Sequence, residues 1–64
     1  MRIDRIKLVT ELMRQDMTQK ELAQKVGISR VTINSIKNGR SCSDAVAFKI
    51  AEALGVDISK LLEK

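Results

Sequence analysis

Five basic side chains, Lys20, Lys25, Arg30, Lys37 and Arg40, stand between Thr18 and Ser41 against a single acid, Glu21. The seven bases and seven acids outside that segment cancel, so the whole net charge of +4 lies on it. Positive charge gathered in this way suits phosphate neutralisation, because each cation that meets a phosphate releases condensed counterions. Enzyme chemistry finds little to work with here. There is no histidine, and Cys42 is the one cysteine. An intrachain disulfide is excluded, a zinc site within one chain lacks its ligands, and no His-based acid–base or nucleophilic set can form. No phosphate-cradling glycine loop is present. A binding module is expected, with no cofactor, no metal and no small-molecule substrate. Cys42 reads as a reduced small hydrophobe or a surface thiol.

The elements that position these side chains follow from periodicity and capping. A chain of 64 residues has room for one domain, 1–64, with a thin core. Apolar residues make up 44 % of it, with no proline and one aromatic, Phe48, which favours helices over a sandwich. No apolar run nears the roughly 18 residues that span a bilayer. Met1 to Lys7 is mixed in charge with no apolar stretch behind it, so a cytoplasmic protein at the nucleoid, without a membrane partner, is expected.

Ile6, Val9, Leu12 and Met13 form a helical stripe, and Asp4 can cap a first helix running to about Gln15. After the Asp16-Met17 turn, Thr18-Gln19-Lys20-Glu21 has the form of a capping box opening a second helix that carries Leu22, Ala23 and Val26 inward. Gly27 ends it. Ser29 caps a third helix bearing Ile33 and Ile36, and Asn38-Gly39 stops it. Ser43 caps a fourth, with Phe48, Ile50, Ala51 and Leu54 as candidates for its buried side and Gly55 at its end. Asp57 would then cap a short fifth helix bearing Ile58, Leu61 and Leu62. The expected fold is all-α, five short helices in one compact domain.

Leu22, Ala23, Val26, Gly27, Ile28, Ile33 and Ile36 occupy positions 4, 5, 8, 9, 10, 15 and 18 of a unit counted from Gln19 to Asn38. A helix-turn-helix needs this pattern. A small Ala23 lets the second helix cross closely over the first, Gly27 lets the chain reverse, and Ile28 plugs the turn. Ile33 and Ile36 anchor one side of the second helix and leave its opposite side free for a groove. The stretch TQKELAQKVGISRVTINSIKNGR, Thr18 to Arg40, resembles the Cro/phage-repressor (XRE) helix-turn-helix family, and AFKIAEALGVDISKLLEK resembles that family's fourth and fifth helices. The resemblance covers nearly the whole chain and is weakest in helix one. It implies a lambda-repressor-like domain that binds double-stranded DNA and regulates transcription.

By the same resemblance, Gln19 sits on a phosphate at a helix start, with Thr18 beside it. Bases would be read by Arg30 on a guanine, Val31 against a thymine methyl, and Thr32 and Ser35 as short polar contacts. Asn34 is geometrically possible and less favoured by the family's pattern. Asn38, Arg40 and Ser41 match backbone contacts, with Lys37 and Ser43 as weaker candidates. Three departures stand out. The family often pairs an arginine late in helix one with a glutamate ending helix three; here those slots hold Leu12 or Met13, and Lys37, so that pair is absent and Lys37 is free for phosphate. Asp16 replaces the commoner Gly or Asn of the first turn, and the usual proline before helix four is missing, with Cys42 in or beside its slot.

The family likeness suggests a homodimer on a pseudo-palindromic operator, with half-sites about 34 Å apart. Val56, Ile58, Leu61 and Leu62 are the candidate dimer interface. A repressor is expected rather than an activator, since the chain shows no further domain to recruit polymerase or sense a ligand. The alternative is an antitoxin-like or adaptor module whose main partner is another protein, with DNA secondary.

Overall fold

Side-chain caps decide where each helix of this chain begins. Asp4, Thr18, Ser29 and Ser43 each accept a hydrogen bond from the backbone amide three residues on, those of Lys7, Glu21, Thr32 and Val46, at 3.0, 3.1, 3.1 and 3.2 Å. Each bond satisfies an amide that a helix start would leave without a partner. In the computed structural model, which describes residues 1–63, these caps open α1 (Arg5–Arg14), α2 (Gln19–Val26), α3 (Arg30–Lys37) and α4 (Asp44–Leu54). The capping box is complete, because Glu21 Oε1 accepts in return from the Thr18 amide at 3.1 Å. An α2 of eight residues is too short to hold itself by backbone bonds alone. Thr18→Ala should therefore cost about 0.5–2 kcal/mol in urea denaturation. An unchanged midpoint would show that packing alone holds α2.

Two residues with positive φ set the turns on either side of α2. Gly27, at φ +83°, is the left-handed end of α2, and its amide donates to the Ala23 carbonyl at 2.8 Å. Asp16, at φ +52°, reverses the chain after α1, a conformation that Asp and Asn tolerate better than most side chains. That explains how the first turn dispenses with glycine.

The core is one cluster drawn from every helix: Leu8 and Leu12 of α1, Leu22, Ala23 and Val26 of α2, Ile33 and Ile36 of α3, and Ala47, Ile50, Ala51 and Leu54 of α4, closed by Ile3 and Leu61 from the chain ends. Two inward assignments differ from the sequence expectation. On α1 the buried side is Leu8, Glu11 and Leu12, while Ile6 and Met13 are 75 % and 76 % exposed. Glu11 tolerates burial because Arg14 Nη1 donates to its Oε1 at 2.9 Å. On α4, Phe48 is half exposed and Ala47 takes the inward place, which lets the helices pack closely.

Among the described residues four α-helices form, and the expected fifth is a single 3-10 turn, Ile58–Lys60. Asp57 does cap it, but its Oδ1 accepts from Ser59 two residues on, at 2.9 Å, and the chain then straightens. Leu62 pairs with Ile3 in an isolated antiparallel bridge, with Asp4 N donating to Leu61 O at 2.7 Å and Glu63 N to Arg2 O at 3.1 Å. The Ser59 bonds also hold the Asp57 carboxyl below its ordinary pKa. The Cys42 amide donates to the Met1 carbonyl at 2.8 Å, a bond that a proline, the family's usual residue there, would lack if it stood at this position.

Candidate nucleic-acid interface

Burying Ile33 completely and Ile36 almost so turns the opposite side of α3 outward. Val31 stands at the crest of that side and is 75 % exposed, although it is β-branched and apolar. A cleft runs along each flank of this crest. One is lined by Gln19, Arg30, Val31 and Asn34, and it continues into a second hollow bounded by Thr18, Gln19, Lys20, Arg30, Asn34 and Lys37. The other is walled by Val31, Thr32, Ser35, Arg40, Ser41 and Ser43, with half-buried Cys42 at its base. The expected DNA-contact residues other than Asn38 therefore line adjoining clefts, with the crest between them and cations on both margins.

The polar groups of this surface are not all equally free. The Thr18 hydroxyl oxygen accepts from the Glu21 amide but keeps its own O–H to donate, so it, the Gln19 side chain and the first amides of α2 can all face a ligand. The Thr32 hydroxyl lies 2.9 Å from Ser29 Oγ, so the helix cap holds it. Ser35 is half-buried, and its carbonyl receives the Arg40 amide at 3.1 Å, tying the loop after α3 back onto the helix. The Asn38 amide is likewise consumed by the Asn34 carbonyl at 3.0 Å, leaving only its side chain. Lys37 reaches between this surface and α1, where it lines a hollow with Val9 and Thr10, and it has no ion-pair partner among the described residues. Burial pushes the Cys42 thiol up from its ordinary pKa, so at neutral pH it is a protonated, weak nucleophile.

Two helices joined by a tight glycine turn, with an eight-residue second helix whose outer side is bare, have one well-known counterpart. The family described as Helix-turn-helix matches residues 10–61. The chain belongs to that family, in its Cro/C1-type branch. This helix-turn-helix domain is 45 % identical over 47 residues to an uncharacterized HTH-type transcriptional regulator of Methanocaldococcus jannaschii, a match covering 72 % of this chain and 71 % of the relative. Among solved structures, a variant of hydroxyethylphosphonate dioxygenase superposes with a TM-score of 0.86 and native PhpD with cadmium with 0.84, both at 28 % identity. The whole helix-turn-helix domain is matched in each case, but it spans 14 % of those chains, so the likeness concerns one small portion of them.

Of the remaining expected site residues, Val56, Ile58 and Leu62 are half-buried near the end of the chain. Leu61 is fully enclosed in the monomer's own core and leaves no side-chain surface for a partner. Lys20, one of the five bases of the positively charged segment but not among the individually expected contacts, lines the hollow at the start of α2. Ser29, expected only as a cap, accepts from the Thr32 amide in that role and also lies within hydrogen-bond distance of the Thr32 hydroxyl. Among the described residues no group of three His, Cys, Asp or Glu is gathered to hold a metal, and no helix is long and apolar enough to cross a membrane.

Proposed function

We propose that this chain is a sequence-specific, double-stranded-DNA-binding transcriptional regulator that represses by occupying a pseudo-palindromic operator as a homodimer. The observation that carries the reading is the crest of α3: a bare Val31 flanked by Arg30 and Asn34 on one side and Thr32 and Ser35 on the other, held outward by Ile33 and Ile36. That shape and polarity suit base edges, while Gln19, Lys20, Lys37, Asn38, Arg40 and Ser41 suit the phosphates alongside. The regulator from Methanocaldococcus jannaschii supports the transcriptional role. Val56, Ile58 and Leu62 are the residues through which two copies would meet, Leu61 acting only from within.

Selection of duplexes from a random pool, followed by titration across salt, tests the reading. A two-fold-related consensus with half-sites about 34 Å apart is expected. Log affinity should fall linearly with log salt, with a slope of about −0.9 per phosphate contacted. Binding without sequence preference, or without salt dependence, would overturn it. A second reading, a protein-interaction module with DNA secondary, has one specific observation in its favour. Ile6 and Met13 stand exposed on α1, outside the surface just described.

A further inference from the structure

We propose that Asn34 reads an adenine edge in the major groove, as a specificity residue beside Arg30 and Val31. This assignment rests on the DNA-reading role of α3 proposed above and adds a residue that the family's usual pattern does not favour. Asn34 lies three residues after Val31 and four after Arg30, so it sits about 60° around the helix from the crest and on the same side as Arg30. With Gln19, Arg30 and Val31 it lines a single cleft of about 400 Å³.

What separates Asn34 from its rivals is that its side chain is uncommitted. It is exposed, and its carboxamide has no hydrogen-bond partner among the described residues. Thr32, by contrast, has its hydroxyl held by Ser29 at 2.9 Å, and Ser35 is half-buried with a shorter reach. A carboxamide offers a donor and an acceptor side by side, the pair that adenine N7 and N6–H2 answer, whereas guanine's two acceptors answer the Arg30 guanidinium. Phosphate is the weaker alternative for Asn34. The cations suited to it, Lys20 and Lys37, already line the adjoining hollow.

The test uses the operator that the wild-type chain selects from a random pool. On it, Asn34→Ala should bind about 5- to 150-fold more weakly. The lost preference should be confined to one A·T pair in each half-site, with the salt slope unchanged. Replacing that adenine by 7-deazaadenine, which removes N7, should weaken the wild type and leave Asn34→Ala indifferent; the wild-type arm needs no variant to fold. If Asn34→Ala keeps every base preference, the assignment fails. It fails equally if affinity drops alike on all duplexes, since Asn34 would then touch backbone. A wild-type chain that selects no sequence would overturn the regulator reading and this assignment with it, whereas a selected operator indifferent to Asn34 overturns this assignment alone.

Discussion

Ile33→Ala is expected to cost about 2–5 kcal/mol and to leave much of the domain unfolded at 25 °C. The side chain is fully enclosed within the core cluster, so its truncation removes buried apolar contacts and leaves a cavity. A domain of this length has roughly 3–10 kcal/mol of stability in all, so one such cavity consumes a large share of it. The helix itself offers no reserve, because eight residues do not stay helical in water without a surface to bury. Urea denaturation followed by helical circular dichroism reads the effect. The control is Val31→Ala, two residues away on the bare side, which should cost under about 0.5 kcal/mol. Should Ile33→Ala melt with the wild type, α3 would be held by something other than its buried side, and the outward crest would lose its physical basis.

That contrast between neighbouring residues also explains what was legible beforehand. The α2–α3 unit could be read from sequence because its instructions are local: a threonine and a glutamate three apart, a glycine at the turn, and isoleucines at one helical face. The crest followed from the same arithmetic, since placing Ile33 and Ile36 inward leaves Val31 outward. Helix α1 carried no such contrast. Ile6, Leu8, Val9, Leu12 and Met13 cover most of its circumference, so more than one face qualifies as the inner one. The choice fell to Leu8 and Leu12 with Glu11 between them, a burial that depends on Arg14 supplying a counter-charge. Phe48 failed in the opposite way. Its size suggested the core, but close helix packing there admits alanine and leaves the ring at the rim. The last segment was decided at long range. Asp57 and Ile58 have the look of a helix start, yet the backbone of Leu61 to Glu63 is claimed by Arg2 to Asp4, some sixty positions away in sequence, and no local signal announces that. The committed hydroxyl of Thr32 was hidden too, because a serine read as a cap gives no sign that it will also hold a threonine side chain.

Arg30→Ala and Arg40→Ala should weaken DNA binding in two distinguishable ways. Arg30 opens α3 and lies in the cleft with Gln19, Val31 and Asn34, with no ion pair among the described residues to hold it back. Its planar fork can meet guanine O6 and N7 together, so its removal should cost about 1–3 kcal/mol on the selected operator and relax the preference at one G·C pair in each half-site. Arg40 stands instead in the loop after α3, on the far margin of the surface, its own amide pinned to the Ser35 carbonyl at 3.1 Å. From there it suits a phosphate. Arg40→Ala should bind every duplex more weakly, keep the same preferred sequence and reduce the salt slope by about one. Competition binding at several salt concentrations against the operator and its single-pair variants separates the two. Identical behaviour would move Arg30 to the backbone, leaving Val31, Thr32, Asn34 and Ser35 to carry whatever sequence preference the crest has. In that case specificity should be weak at G·C pairs, because none of these side chains presents the guanidinium fork that meets guanine O6 and N7 together.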